Sequence, residues 1–246
     1  MDKLIYTAMS GAQQNMFAQA VYANNLANVD TPGFRADYAD ASSVYLKGGA
    51  YDSRTLASAS VTGSRFESGP MMATGRELDV AVSGSGWLSV LDNSGREAYT
   101  RAGGLSVDSL GALRTQSGNQ VMGNAGPITL PEYEKVEFGS DGTLSIRPLG
   151  STANSLVQVN QLKLVNPDVK TLVKGDDGLF RTQTGAVATQ DNSVKIVANT
   201  LEGSNVNAVD SLLSVMNLSR QFELQMKEMK QVSDLDEASN QLLKVG

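Results

Sequence analysis

No cysteine and no histidine occur in the 246 residues of this chain. Their absence removes disulfides, thiolate nucleophiles, Cys/His metal sites and every catalytic triad that uses histidine as its base. A cysteine-free chain also suits passage from a reducing cytoplasm into an oxidising space, because it has nothing to mispair. Long apolar runs are missing as well. No stretch approaches the ~20 apolar residues that span a bilayer, so direct membrane insertion is not expected. The opening residues, Met1-Asp2-Lys3-Leu4-Ile5-Tyr6-Thr7-Ala8-Met9-Ser10, are not expected to act as a secretory signal, since Thr7 and Ser10 interrupt any apolar segment. Basic clusters are absent too: 20 Lys and Arg stand against 26 Asp and Glu, a net charge of −6. Nucleic-acid binding needs a basic footprint to neutralise phosphate, and an anionic membrane surface attracts only basic segments. Neither partner fits. Aromatic residues are scarce at 6% while glycine is frequent at 24, which favours many turns around small-residue packing.

What is present is an ordinary folded composition, 41% hydrophobic and 19% charged, long enough for one large domain or two small ones. Residues 4–28 carry a helical pattern. Ile5, Met9, Ala12, Met16, Gln19, Ala23 and Leu26 recur at steps of four and three, the spacing of a helix-pairing seam. No proline interrupts it, and Thr31-Pro32-Gly33 ends it. Such a helix is roughly 25 residues and about 37 Å long. The C-terminal end mirrors this pattern. Val209, Leu212, Leu213 and Met216 begin an apolar face, Phe222, Met226, Met229 and Val232 continue it, and Leu235, Leu242 and Leu243 extend it. Ser204 or Asn205 is the expected N-cap.

Between the helices, short apolar or alternating runs such as Leu78-Asp79-Val80-Ala81-Val82 and Trp87-Leu88-Ser89-Val90-Leu91 predict antiparallel β structure. Asp92-Asn93-Ser94-Gly95, Ser140-Asp141-Gly142 and Asp176-Asp177-Gly178 have hairpin-turn chemistry. A body of roughly 66–199 is expected to fold alone. Residues 34–75, with Tyr38, Tyr45 and Tyr51, show no clear period and are expected to be extended and ordered by packing.

Little in the sequence supports chemistry. Gly84-Ser85-Gly86 has two glycines of a dinucleotide fingerprint, but Ser89 stands where the third should be and a strand follows; a hairpin turn is expected instead. No phosphate-binding loop and no calcium-loop spacing occur, and nothing distinguishes Glu132 and Glu134 from solvated surface. Trp87 is the only tryptophan and is expected in the core. No catalytic residue, cofactor or metal ligand is predicted.

Asn24-Asn25-Leu26-Ala27-Asn28-Val29-Asp30-Thr31-Pro32-Gly33-Phe34 needs a separate account, because asparagines are poor helix formers. Asn28 or Asp30 could stop the helix by bonding nearby backbone. Alternatively the amides satisfy backbone groups of neighbouring chains where helices crowd. This stretch resembles the N-terminal signature of the flagellar axial proteins, the rod and hook family. Further blocks fit the same family in order: Leu78 through Trp87, Tyr99-Thr100-Arg101-Ala102-Gly103, Gly111-Ala112-Leu113, Pro127-Ile128-Thr129-Leu130-Pro131, Asp141-Gly142-Thr143-Leu144, and Leu201-Glu202-Gly203-Ser204-Asn205-Val206.

The resemblance implies a non-enzymatic subunit of the proximal flagellar rod, with a distal-rod or other axial subunit as the near alternative. It would leave through the flagellar export apparatus without a cleaved signal peptide and reside in the periplasmic part of the basal body. Its partners would be copies of itself, neighbouring proximal-rod proteins and the distal-rod protein. From other classes, a periplasmic enzyme acting on cell-wall polymer would need an acidic pair in a cleft, and a β-rich binding module would take a small ligand as a monomer.

The expected fold is α+β: long N- and C-terminal helices packed together as a coiled-coil-like domain, with a β-rich domain inserted between them. The corresponding segments are 1–30 for the first helix, 31–75 for an extended connection, 76–200 for the β-rich centre and 201–246 for the last helix. The expected assembly interface comprises Ile5, Met9, Ala12, Met16, Ala23, Asn24, Asn25, Leu26 and Asn28, with Leu212, Met216, Phe222, Met226 and Met229. Isolated helices are marginal, so these ends are expected to order fully only on joining neighbours.

Overall fold

The computed structural model describes residues 2–45, 55–150 and 156–245; Tyr51 lies outside them. The chain divides into two compact units. One comprises Met1–Asn28, Asp37–Arg65 and Val206–Gly246, and the other Val29–Ala36 and Phe66–Asn205. The α+β class is as expected: a helix at each end and a β-rich centre.

In the first unit, helix α1 (Asp2–Ala27) forms because alanine recurs along it and proline is absent. It stops where the Asn28 N–H bonds the Asn24 and Asn25 carbonyls at 3.2 and 3.1 Å, while the Asn28 amide donates to the Asn24 carbonyl at 2.9 Å. Helix α2 (Ala208–Val245) has Asn207 as its N-cap, not Ser204 or Asn205: the Asn207 Oδ1 accepts from the Val209 and Asp210 N–H groups at 3.0 and 3.3 Å. An amide oxygen there satisfies two of the donors that a helix start leaves open. Strands β1 (Asp37–Tyr45) and β2 (Thr55–Ser64) pair antiparallel, with a register shift between Tyr38 and Ala39. Helix α1 packs along α2 and against both strands.

In the second unit the strand Trp87–Leu91 is central. It pairs with Glu97–Thr100 on one side and with Gln120–Gly123 and Leu164–Val165 on the other. A separate meander joins Tyr133–Phe138, Thr143–Pro148 and Val157–Gln161. Val80–Ser83 pairs with Lys195–Ala198, and Met71–Ala73 with Thr200–Glu202. Every strand pair among the described residues is antiparallel, as the short runs predict. The last pairing also extends the β body past residue 199, so Thr200 to Glu202 belong to it.

Inward-facing aliphatics, among them Val82, Leu88, Leu113, Ile128, Val136, Leu144 and Leu164, form the main core. Trp87 is buried in a second cluster with Tyr99, Val165, Leu172 and Phe180. It meets Phe66 edge-on at 6.0 Å and Phe180 at 4.6 Å, both favourable aromatic geometries. The three expected hairpin turns are present, with Gly95, Gly142 and Gly178 at positive φ. In the first, buried Asp92 accepts from the Ser94 and Arg96 N–H groups at 2.8 and 2.9 Å and from Arg181 at 2.9 Å. Burial alone would raise its pKa; the Arg96 N–H, the Arg181 guanidinium and the Ser94 N–H outweigh that and hold it at about 2. Gly84-Ser85-Gly86 differs from expectation. It is no hairpin turn, because Val80–Ser83 pairs with Lys195–Ala198 and Trp87–Leu91 pairs elsewhere. It is a link between separate sheets.

Candidate functional site

Two arrangements stand out, one in each unit. In the β-rich unit Glu202 ends the strand Thr200–Glu202 and is fully buried. A carboxylate there needs charge partners and hydrogen bonds to offset its lost hydration. It has three donors. Arg35 Nη2 donates to Oε1 at 2.6 Å, Arg101 Nη1 to Oε2 at 3.0 Å, and the Gly69 N–H to Oε1 at 3.1 Å. Arg101 also donates to the carbonyls of Val82 and Gly84 at 3.3 and 2.7 Å. The guanidiniums of Arg101 and Arg35 lie 5.3 and 6.0 Å from the Trp87 ring centroid, within cation–π range. Burial draws the Arg101 pKa below its ordinary value, and the Glu202 charge opposes that shift. The cluster therefore holds two buried cations around one buried anion.

Local backbone makes this possible. Gly33 sits at φ +72°, and a Cβ on it would come within 2.3 Å of the Arg101 carbonyl carbon. A Cβ on Gly69 would come within 2.1 Å of the Gly203 carbonyl oxygen. Only glycine permits either approach. Asn205 then fastens the segment ends: its Oδ1 accepts from the Ala36 N–H at 2.7 Å, its Nδ2 donates to the Glu67 carbonyl at 2.9 Å, and its own N–H reaches the Phe34 carbonyl at 3.3 Å. Lys174 donates to the Arg35 carbonyl at 2.8 Å and lies 3.9 Å over the Phe34 ring. Sequence reasoning assigns no role to Arg35, Arg101 or Glu202 as an ion cluster, and it expects Asn205 as a helix cap instead of this fastening role. The available signal was their placement in three family-like blocks, around Gly33, Arg101 and Glu202.

The second arrangement is the helical pair. Asn15 Nδ2 donates to Gln225 Oε1 at 3.0 Å. The residues of α1 that lose exposure include Ala8, Gly11, Ala12, Asn15, Ala18, Val21, Tyr22 and Asn25. On α2 they include Ser211, Val215, Leu218, Phe222, Gln225, Met229 and Val232, at steps of four and three. The predicted interface residues divide between two faces. Ala12 and Asn25 are buried, and Ile5, Leu26, Asn28, Phe222 and Met229 are half-buried. Met9, Met16, Ala23, Asn24, Leu212, Met216 and Met226 are exposed. The covered face of α1 is thus rotated by about one residue from the proposed seam. Tyr6, Met9, Gln13, Met16, Ala20, Ala23 and Ala27 instead form an exposed stripe of their own at steps of three and four, with Tyr6 63% and Met16 55% exposed.

The asparagines at the end of α1 have separate roles. Asn28 stops the helix. Asn25 is used within its own chain: its Oδ1 accepts from the Asp37 N–H at 2.9 Å and its Nδ2 donates to the Asp37 carbonyl at 2.7 Å. Its amide therefore satisfies this chain's backbone, not that of a neighbour. Asn24 remains exposed.

Chemistry finds little footing here. Asp108 and Glu132 line an open groove of about 630 Å³ with Leu110 and Leu149, an acidic pair of the kind a cell-wall hydrolase would use. Asp108, however, is engaged by Arg114 Nε at 2.7 Å and by the Leu110 and Ala112 N–H groups. The Arg114 hydrogen bond, followed by that of the Ala112 N–H, holds its carboxyl below the usual range, whereas a general acid needs a raised pKa. Among the described residues no group of three Asp or Glu could hold a metal ion, and no helix is long and apolar enough to cross a membrane.

Paired terminal helices with an uncovered apolar stripe, joined in sequence to a stapled β body, define a structural assembly subunit. Three family descriptions match along the chain: "Flagella basal body rod protein" over residues 5–35, "Flagellar hook protein FlgE/F/G D1 domain" over 81–146, and "Flagellar basal body rod FlgEFG protein C-terminal" over 197–242. Each contributes one member of the ion cluster: Arg35, Arg101 and Glu202 respectively. The chain is 42% identical to the flagellar basal-body rod protein FlgF of Escherichia coli K12, with 99% of each chain covered. It is 41% identical to that of Salmonella typhimurium LT2 over the same shares. The FlgG rod protein of Bacillus subtilis 168 is 28% identical, with 92% of this chain and 94% of the relative covered. The chain belongs to the FlgF family of flagellar basal-body rod proteins, whose members are structural subunits and not enzymes.

Proposed function

We propose that this chain is a subunit of the proximal flagellar rod, and that α1 and α2 form an antiparallel, coiled-coil-like pair whose outer faces pack against neighbouring subunits. The pairing follows from the Asn15–Gln225 contact. With that contact fixed, an antiparallel arrangement places Ala8 opposite Val232, Gly11 opposite Met229, Ala18 opposite Phe222, Tyr22 opposite Leu218 and Asn25 opposite Val215. Each pair joins two residues that lose exposure. A parallel arrangement would leave Ser211 and Val215 facing the first few residues of the chain.

The observation that carries the proposal is the exposed stripe from Tyr6 to Ala27. Large apolar side chains at pairing intervals are not what a solvated helix face requires. Bulky Tyr6, Met9 and Met16 at one end give way to Ala20, Ala23 and Ala27 at the other, a taper that allows helices to crowd closely. On this reading the neighbours are copies of the chain, other proximal-rod proteins and the distal-rod protein. Delivery is by the flagellar export apparatus to the periplasmic part of the basal body. The assembly domain is then the unit of Met1–Asn28, Asp37–Arg65 and Val206–Gly246, while Leu201 and Glu202 stay with the β body. The two helices complete their ordering on joining, so far-ultraviolet circular dichroism of dilute monomer should show less helix than α1 and α2 together would give; full helicity would contradict it.

Met16→Asp and Met226→Asp test the proposal. Both side chains are exposed in the single chain, so each change should alter its stability by no more than about 0.5 kcal/mol. In the rod each would place a charge in an apolar contact. The expected result is a folded subunit that fails to enter the rod and non-motile cells; normal rods with either variant would overturn the assignment.

A further inference from the structure

We infer that Asn15, Gln225 and Gly11 form a register key that sets how α1 and α2 slide against one another; this rests on the antiparallel pairing proposed above. The Gln225 side chain lies over Gly11, where an added Cβ would stand 2.8 Å from its Nε2. It accepts the Asn15 amide N–H at 3.0 Å. Gly11 is the only glycine in either helix, so the seam has one place without a Cβ for this side chain to occupy.

Slipping the pair by one heptad destroys the match. Asn15 would then face Leu218 or Val232, and Gln225 would face Ala8 or Tyr22. In either slipped state both half-buried amides lose their partner, and Gln225 also loses the space over Gly11. The aliphatic members of the seam offer no comparable discrimination, and the Asn25 amide bonds the Asp37 backbone instead of α2. Alanine, valine, leucine and methionine exchange one hydrophobic contact for another when they slide, whereas an amide left without a partner is penalised. The polar pair weakens the seam as a hydrophobic surface and makes one alignment preferred by about tenfold or more. Its role is positional: it decides which residues of α2 lie beside the stripe that α1 turns outward.

The absence of native cysteine makes the register directly readable. In the full-length chain, Ala18→Cys is combined in turn with Phe222→Cys for the native register, and with Val215→Cys or Met229→Cys for the two slipped ones. Mild oxidation should bridge 18 to 222 with at least tenfold preference. Adding Asn15→Leu and Gln225→Leu should allow the slipped bridges to form, with that preference falling severalfold. The exchange variant, Asn15→Gln with Gln225→Asn, keeps both amides and should restore the native preference. If the leucine variant bridges 18 to 222 as selectively as the native pair, the key is refuted while the pairing stands. If no within-chain bridge forms in the native background, the antiparallel pairing itself is refuted.

Discussion

Glu202→Gln removes the one negative charge from a cluster that contains two buried guanidiniums, while keeping nearly the same shape. Arg35, Arg101 and Glu202 are 1%, 4% and 0% exposed, so neither arginine could regain solvent without opening the β body. Deleting one partner of a buried ion pair costs about 3–5 kcal/mol, because it leaves an uncompensated charge. Here the loss strands two. The arginine substitutions provide the internal control. Arg35→Met leaves Arg101 and Glu202 as a one-to-one pair, and Arg101→Met leaves Arg35 with Glu202. Each should therefore cost less than the glutamate change, at about 1–3 kcal/mol for the lost hydrogen bonds. Of the two, Arg101→Met should cost more, since it also gives up the contacts to the Val82 and Gly84 carbonyls. Urea unfolding followed by the fluorescence of Trp87, which lies beside both guanidiniums, reports this unit directly. A Glu202→Gln variant within 1 kcal/mol of the native protein, or one more stable than either arginine variant, would refute the reasoning.

Other expectations follow from single positions. Gly33→Ala forces a Cβ into the backbone of Arg101 at an unfavourable positive φ and should destabilise the β body by more than 1 kcal/mol; the same urea titration measures it. Asp92 has a folded pKa of about 2, below the ordinary 3.8. Its contribution to stability is therefore present in full above the ordinary value and lost as pH falls through 4 toward 2. Asp92→Asn should flatten that part of the pH–stability curve, and an unchanged curve would contradict the assignment. The expectation that residues 66–199 fold alone is reversed by the ion cluster, since that fragment lacks both Arg35 and Glu202 and leaves Arg101 without its carboxylate. The fragment should be cut rapidly by protease, while the intact chain resists cleavage within the β body.

The sequence made the class legible because periodicity and turn chemistry are local. The short apolar run Trp87–Leu91 and the Asp-Gly and Ser-Gly turns specify a strand and hairpins within a few residues, and those features appear as expected. Helix existence was legible for the same reason, although the facing was not. Rotating the α1 stripe by one residue still gives a plausible three-and-four pattern, because alanines flank it on both sides, Ala8 and Ala18 on one and Ala20 and Ala27 on the other. What decides the facing is the partner surface, including Gln225 from 210 positions away. The ion cluster was illegible for a stronger reason. Arg35 and Glu202 are separated by 167 positions, and a lone arginine or glutamate in an acidic chain reads as solvated surface. Its burial follows from the approach of Gly33 and Gly69 to other backbone segments, which only the folded chain shows. The N-cap was misplaced by two or three residues because Ser204, Asn205 and Asn207 all have capping chemistry. Asn205 is engaged with Ala36 and Glu67 instead.

The central claim is that the outward stripe of α1 is covered by other subunits in the rod. Met16→Cys places a single thiol in the middle of that stripe, on a side chain 55% exposed in the lone chain. Thiol labelling of free subunit and of isolated basal bodies tests the claim directly. The account predicts rapid labelling of the free protein and strong protection in the rod; equal labelling in both would contradict it.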